Sequence, residues 1–265
     1  MFKMFSDLWR YRFFIFSTIK TEFRAQFVRS SLGGLWMILQ PLSQVLIFAF
    51  VLSTVMSAKL PGIDNNQYAY SIYLMSGILG WSLFNEILSR CVNLFVENAN
   101  LLKKVAFPKI TLVCIVVGRA IVNNMLLFLA MLVIFGFLGC WPGVNIIYLP
   151  LLSLINIMFA LGLGLILGVF NVFIRDIGQV VPIALQMLFW LTPIVYVITI
   201  IPERYQAWVH FNPLQPIISG YQAIMLYDHA LAWSGLMAVL ALSAIMLIFA
   251  LILFRKASPE MVDQL

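Results

Sequence analysis

The sequence contains few charged residues: only 10% of its 265 residues are charged, whereas 63% are hydrophobic. A soluble domain is roughly half apolar and about a quarter charged. Because no water-soluble core could enclose so much apolar surface, the composition excludes an ordinary soluble protein and indicates that the bilayer is the solvent. About six apolar stretches of roughly 20 residues, the length that crosses a bilayer, fit in the chain and leave little room for a soluble domain.

Sequence motifs of several common chemistries are also missing. The sequence has no G-x-x-x-x-G-K-[ST] phosphate loop, no H-E-x-x-H and no G-x-S-x-G, and its three cysteines match no metal-ligand spacing. We therefore expect no catalytic residue, no metal ion and no bound cofactor on this chain. An intramembrane enzyme acting on lipids or peptides is an alternative hypothesis, because His210 and His229 could exchange protons.

The hydrophobic pattern predicts six transmembrane helices. Before the apolar runs, residues 5–28 place aromatic side chains at mostly helical spacing with charges between them, which is typical of an amphipathic helix lying in the membrane interface. The predicted fold is an all-α polytopic membrane protein, with the interface helix in residues 1–34 and a six-span domain in 35–265. A stand-alone secondary transporter would predict inverted repeats, which the sequence does not show. The runs cover approximately residues 35–56, 70–88, 110–138, 146–174, 180–201 and 231–254.

The basic residues lie almost entirely on one side of this topology. Of the 16 Lys and Arg residues, 13 fall in the N-terminal segment or in loops on that side. Only Lys59 and Arg204 lie on the other side, and Arg119 lies inside the third run. Because cytoplasmic loops carry an excess of basic residues, we predict that both termini are cytoplasmic. The net charge of +6 then reports topology, and we expect no binding of nucleic acid.

Two ionisable residues lie within the predicted spans, where a charge is costly and usually has a partner. Glu86 lies near the cytoplasmic end of the second run, and Arg119 lies 11 residues beyond Pro108, roughly 16 Å along a helix. Since the two runs are antiparallel, both residues reach a similar depth, and we predict that they face the interior and form a pair. The pair could fix helix packing, or Arg119 could line a polar conduit that Asn123 and Asn124 extend.

Two connections between the runs are unusual. On the cytoplasmic side, Asn98 or Asn100 can cap a short helix, and Pro108 can begin the next helix. On the outer side, residues 202–230 are too apolar and aromatic for a solvated loop, and their apolar pieces are too short to cross the membrane. Short re-entrant or interfacial helices fit this outer segment best.

Together, these features resemble the permease subunit of type-2 ABC exporters that move lipid-linked polysaccharides, the O-antigen and teichoic-acid exporter group. The likeness covers almost the whole chain, beginning with the amphipathic N-terminal helix. Many members of this group carry an arginine shortly after an Asn-Pro motif, where this chain has Gln222. Four further segments carry the likeness in order along the topology: FVRSSLGGLWMILQP (27–41), NLLKKVAFP (100–108), NVFIRDI (171–177) and NPLQPI (212–217).

The resemblance implies a homodimer in the bacterial inner membrane, with a channel between the two copies. It also implies two copies of a nucleotide-binding ABC subunit, which would bind the ATP and Mg that this chain cannot hold. Residues 98–107 would be the coupling helix seated in a cleft of that subunit, and residues 202–230 would form a gate. The residues assigned to coupling are Asn98, Asn100, Leu101, Leu102, Lys103, Lys104, Phe107 and Pro108.

A channel for a sugar polymer would use aromatic side chains, because ring faces stack on sugars without fixing one register. The same aromatic residues could instead fill helix packing or form interface belts. The resulting hypothesis is an exporter of lipid-linked polysaccharide, with small lipophilic compounds as the alternative cargo. The candidate channel residues are Glu86, Arg119, Trp81, Phe84, Trp190, Tyr196 and Tyr221.

Overall fold

The computed structural model describes residues 11–28, 68–104, 109–137, 139–227 and 231–264, with five isolated positions between 36 and 47. The secondary structure of these residues is helical, which confirms the predicted all-α class. The predicted first span, residues 35–56, lies almost wholly outside the described residues, as do Phe107 and Pro108 of the predicted coupling segment.

Nine α-helices are present in the described part of the chain. They are α1 (Arg12–Val28), α2 (Ala69–Glu97), α3 (Ala99–Lys104), α4 (Ile110–Phe137), α5 (Leu149–Phe173), α6 (Ile177–Leu191), α7 (Glu203–His210), α8 (Leu214–Gln222) and α9 (Trp233–Gln264). A 3-10 turn (Val144–Tyr148) leads into α5, another (Ile198–Ile200) precedes α7, and a π turn (Ala223–Tyr227) follows α8. Three segments of the described chain are long and apolar enough to cross a membrane: Ile110–Phe137, Val144–Phe173 and Trp233–Ser258.

Helix α2 is the centre of the bundle and packs against α4, α5, α6 and α8. Because these neighbours cover it, α2 can carry more polar residues than a helix that faces lipid. Its closest approach is to α5, where a Cβ atom at Gly168 would overlap the carbonyl oxygen of Cys91 and one at Gly164 would lie 2.8 Å from the Cys91 Cβ. Small residues of this kind allow membrane helices to pack closely.

Helix α9 packs along a second face of α5. A Cβ atom at Gly162 of α5 would lie 2.9 Å from the Cβ of Met246, so the glycine permits this contact. The outward face of α9 exposes large apolar side chains, among them Met237, Ile245 and Ile248. An apolar exposed face is what a helix requires where lipid replaces water as the solvent.

The predicted fifth span, residues 180–201, is not one continuous helix. Helix α6 ends at Leu191, and Thr192 is extended with φ −94° and ψ 135°. The reason is Pro193, which has no N–H for a helical bond and disfavours the helical conformation of the residue before it. The expectation that 180–201 forms one continuous helix was therefore wrong, whereas its role as a membrane span stays a prediction.

Side chains from α2 and α8 satisfy the non-helical backbone after α6. The Tyr70 hydroxyl donates to the carbonyl of Val195 at 2.6 Å, and the Tyr73 hydroxyl donates to those of Pro193 and Tyr196 at 3.1 and 2.9 Å. The Gln222 amide also donates to the Pro193 carbonyl, at 3.1 Å. Irregular backbone is tolerated among membrane helices where the protein supplies such partners.

Candidate functional site

A groove of about 490 Å³ lies between α2 and α6. Its α2 wall consists of residues four apart, which share one face of a helix, and its α6 wall repeats the same spacing. None of the described residues that line it is charged. They are Trp81, Asn85 and Ser89 on α2, and Pro182, Leu185, Gln186, Phe189 and Trp190 on α6.

One end of the groove is aromatic and the remainder is largely polar. The ring of Trp81 meets that of Phe189 edge to face, with centroids 5.4 Å apart, and Phe189 meets Trp190 in the same way at 5.6 Å. Trp190 is 53% exposed. The amides of Asn85 and Gln186 follow along the groove. The surface therefore offers flat apolar faces next to groups that donate and accept hydrogen bonds.

The structure separates the five aromatic channel candidates. Trp81 and Trp190 line the groove, and their contact with a substrate stays a prediction. Phe84 and Tyr221 are completely buried, so both belong to the helix core and not to an accessible wall. Tyr196 is partly buried beside the break after α6.

The two buried candidates have clear packing partners. The Phe84 ring stacks on that of Phe159 at 5.6 Å. The Tyr221 hydroxyl shares a hydrogen bond of 2.9 Å with that of Ser153, and the Tyr221 ring occupies the space that a Cβ at Gly80 would fill. The expectation that both rings face a channel was wrong, because residue type alone does not distinguish a wall from packing.

Sequence reasoning missed the polar members of the groove. Asn85, Ser89 and Gln186 line it together with the tryptophans. Their signal was present in the sequence, since Asn85 and Ser89 follow Trp81 at four-residue intervals and Gln186 precedes Trp190 by four. A search for polar side chains on the same helical face as a membrane tryptophan would have found them.

The predicted pairing of Glu86 with Arg119 was wrong. The Glu86 carboxylate accepts from the guanidinium of Arg90 at 3.0 Å and from the amide of Asn123 at 2.6 Å. Arg119 instead forms a salt bridge of 2.7 Å with Glu22 of α1. Similar depth in the membrane was a valid argument, but closer partners were available to both residues.

The amide of Asn124 is also engaged in helix packing. It donates to the carbonyl of Leu79 at 2.9 Å and to the hydroxyl of Ser82 at 3.3 Å. Asn123 and Asn124 thus attach α4 to α2, which gives them a structural role beside α2.

Helix α1 packs on α4 through two adjacent contacts. The side chain of Ile19 fills the space beside Gly118, and Glu22 pairs with Arg119. On other faces of α1, Phe13 and Phe16 are each 72% exposed. Apolar side chains therefore lie on more than one face, and the simple one-sided amphipathic pattern that we predicted does not hold over Arg12–Val28.

The described part of the predicted coupling segment contains one short helix, α3. The Asn98 side chain does not cap it: its amide donates to the carbonyl of Leu94 at 2.8 Å and so completes the end of α2. The main-chain carbonyl of Asn98 accepts from the N–H groups of Leu101 and Leu102 at 3.1 and 3.0 Å, which starts α3. The expectation that Asn98 caps α3 through its side chain was therefore wrong.

Helix α3 has one buried and one exposed face. Leu102 is buried and holds α3 against the bundle, whereas Asn100, Leu101 and Lys103 are exposed. Lys104 ends the helix. This six-residue element offers an amide, an apolar side chain and a positive charge to the exterior.

The predicted gate segment, residues 202–230, contains two short helices, as expected, within its described part. Helix α7 buries no side chain, whereas α8 is inserted among α2, α5 and α9. Asn212 starts α8, since its side-chain oxygen accepts from the N–H of Leu214 at 3.0 Å and its amide donates to the hydroxyl of Thr192 at 2.8 Å.

Comparison with known proteins decides the family. Residues 14–226 match the family described as ABC-2 type transporter. The chain belongs to the ABC-2 transporter membrane family. This match extends from within α1 into the π turn, so it includes the groove, α3 and most of the predicted gate segment of this ABC-2 protein.

Relatives of this ABC-2 chain carry names of polysaccharide export. It is 28% identical to an O-antigen export system permease protein of Myxococcus xanthus over 100% of both chains. It is 25% identical to an O-antigen export system permease protein of Klebsiella pneumoniae over 77% of each chain. It is also 25% identical to a polysialic acid transport protein of Escherichia coli over 77% of this chain and 78% of the relative.

The family confirms the resemblance found in the sequence and replaces the intramembrane-enzyme alternative with a transport subunit. His210 is exposed at the end of α7, and His229 lies outside the described residues. Among the side chains that the structure describes, no three His, Cys, Asp or Glu residues are grouped so that they could hold a metal ion.

Proposed function

We propose that this chain is the transmembrane subunit of an ATP-driven exporter that moves a lipid-linked polysaccharide across the bacterial inner membrane. The observation that carries the proposal is the uncharged groove between α2 and α6, with tryptophans at one end and amides along its length. The names of the relatives support a polysaccharide cargo. Because this chain lacks a phosphate loop, ATP and Mg would be bound by a separate nucleotide-binding subunit.

The groove suits a polymer better than a single tightly held ligand. The faces of Trp81 and Trp190 can stack on successive sugar rings, and Asn85 and Gln186 can exchange hydrogen bonds with hydroxyl groups. Neither contact selects one register along a repeating chain. A polymer can therefore advance by one sugar and meet the same contacts again.

A second copy of the chain would complete the channel. Helix α6 buries only Val181, Leu185 and Phe189, so most of its apolar surface is exposed in one protomer. An apolar surface next to an uncharged polar groove fits a homodimer in which the two grooves face a shared path. We expect two copies of the nucleotide-binding subunit to serve this dimer.

Six spans account for the remaining topology. Helix α2 has 29 residues and is about 43 Å long at 1.5 Å per residue, enough to cross a bilayer. Helix α6 together with the extended segment after Leu191 would supply the fifth span, and residues 35–56 the first. This arrangement places both termini and α3 in the cytoplasm and the segment 202–230 on the outer side.

Helix α3 would be the coupling helix of this arrangement. Its exposed Asn100, Leu101 and Lys103 would enter a cleft of the nucleotide-binding subunit, while Leu102 holds the helix to the membrane bundle. A permease without its own ATPase must receive mechanical work through a rigid cytoplasmic element, and α3 is such an element.

Substitution in the groove tests the proposal. In cells or vesicles that contain both subunits, Trp81→Ala with Trp190→Ala should reduce polymer export several-fold, because two stacking faces are removed. The nucleotide-binding subunit should still bind. Trp141→Ala is the matched control, since Trp141 is 71% exposed and lies outside the groove.

Normal polymer export by the variant with both Trp81→Ala and Trp190→Ala would reject the groove as the polymer path. Loss of transport of a small lipophilic compound, with polymer export intact, would instead favour the alternative cargo.

A further inference from the structure

The cytoplasmic end of α9 is bound to the segment that follows α3. The ammonium group of Lys109, directly before α4, donates to the carbonyl oxygen and to the hydroxyl of Ser258, each at 2.7 Å. The two residues are 149 positions apart in the sequence. Hydrogen bonds from a charged donor are about twice as strong as neutral ones, so this is a strong link between two distant parts of the chain.

Two apolar contacts support the same link. The rings of Phe95, near the end of α2, and Phe254 of α9 stack at 5.3 Å with an interplanar angle of 20°. Farther along, α9 packs against α3, and both Leu102 of α3 and Met261 of α9 are buried. The contacts thus continue from the end of α2 to the last turns of α9.

The end of α9 has no reason to stay helical without these contacts. Its apolar stretch ends at Ser258, yet the helix continues to Gln264. Pro259 contributes no N–H to the helix, which weakens it at this position. A short helix end in water is marginal by itself, so the contacts with Lys109 and α3 stabilise it.

We propose that Lys109 and Ser258 are positioning residues: their bond fixes the start of α4 to the end of α9, residues 258–264, which itself packs on α3, so that displacement of α3 by the nucleotide-binding subunit reaches the last span directly. The inference rests on the proposed function, since it assigns a transmission role within the same exporter. A displacement of α3 can then reach the membrane bundle in two ways. One is through α2, which precedes α3 in the chain, and the other is through α9, which contacts α3 only by packing.

Substitution of Lys109 in the full complex tests this role. Lys109→Met should lower polymer export about ten-fold, the effect of losing a charge-assisted hydrogen bond on an equilibrium. The affinity for the nucleotide-binding subunit and the rate of ATP hydrolysis should stay within about two-fold, so the amount exported per ATP falls. Lys109→Arg should keep most of the export, and Ser258→Ala, which removes one of two acceptors, should give an intermediate loss.

Lys256→Met is the matched control. Like Lys109→Met it removes one positive charge, but from an exposed position on α9, two residues before Ser258. Export should be unchanged. Hydrogen–deuterium exchange of the complex gives an independent measurement: the amides of residues 260–264 should exchange faster in Lys109→Met and not in Lys256→Met.

Several outcomes would overturn the inference. Export equal to that of the natural sequence in Lys109→Met would show that the link transmits nothing. Loss of binding of the nucleotide-binding subunit in parallel with export would make Lys109 a docking contact. If Lys109→Met does not fold, the milder variants serve in its place: unchanged export in Ser258→Ala, or loss of export in Lys109→Arg, would contradict the inference. Absence of export by the unaltered complex would reject the proposed function instead, and the exchange measurement would still test the link.

Discussion

Exchanging the charges of Glu22 and Arg119 should preserve the docking of α1 on α4, whereas reversing either charge alone should weaken it. The two groups are 2.7 Å apart, and the side chains of Arg119 and Glu22 are 20% and 39% exposed. Fully exposed pairs contribute about 0.2–1 kcal/mol, and breaking a buried pair costs about 3–5 kcal/mol. This partly exposed pair lies between those two cases and should contribute about 1–2 kcal/mol, which corresponds to a factor of about 5–30 in the docking equilibrium.

A double-mutant cycle read by hydrogen exchange measures this value. The amides of α1 should exchange about 5–30 times faster in Glu22→Arg and in Arg119→Glu than in the natural sequence, and the double reversal should recover most of the protection. A second double variant, Glu86→Arg with Arg119→Glu, is the control and should give no recovery. Recovery in the Glu86 variant, or none in the Glu22 variant, would refute the pairing seen in the structure.

Two further predictions concern stability. Gly168→Ala should lower the free energy of unfolding in detergent by about 1–3 kcal/mol, because the added methyl group would overlap the Cys91 carbonyl and push α2 away from α5. The unfolding temperature should fall accordingly, and an unchanged unfolding temperature would contradict this packing. Burial lowers the pKa of Lys109, so between that lowered pKa and the usual value the folded state binds fewer protons than the unfolded state. The free energy of unfolding should therefore rise with pH across this window, relative to Lys109→Met, and a falling difference would contradict the shift.

Long helices could be predicted because their signal is local. The run predicted at 110–138 corresponds to α4 (Ile110–Phe137), and α9 begins two residues after the start of the run at 231–254 and continues beyond its end. Lipid selects apolar residues along the whole exposed length of such a helix, so composition alone reports it. The short helix α3 was also predictable in position, since it lies between two long runs.

Partner choice could not be predicted, because it depends on geometry between distant segments. Glu86 and Arg119 were both singled out as charges within predicted spans, yet each has a different partner, Arg90 and Glu22. Depth along a helix is readable from a sequence, whereas the rotation of the helix and the position of a neighbouring helix are not. For the same reason, the sequence does not show that Tyr221 is buried whereas Trp190 is exposed.

The position of α2 relates the groove to the predicted coupling segment. Helix α2 is continuous from Trp81, which lines the groove, to Glu97, which precedes α3. The distance is about 24 Å along the helix, and an unbroken helix of this length transmits displacement without bending sharply. Asn98 joins the two helices, because its side-chain amide donates to a carbonyl of α2 and its main-chain carbonyl accepts from two N–H groups of α3. A displacement of α3 must therefore either tilt the groove wall that carries Trp81 or break the hydrogen bonds at Asn98. Tilting the wall retains those hydrogen bonds and therefore costs less free energy than breaking them.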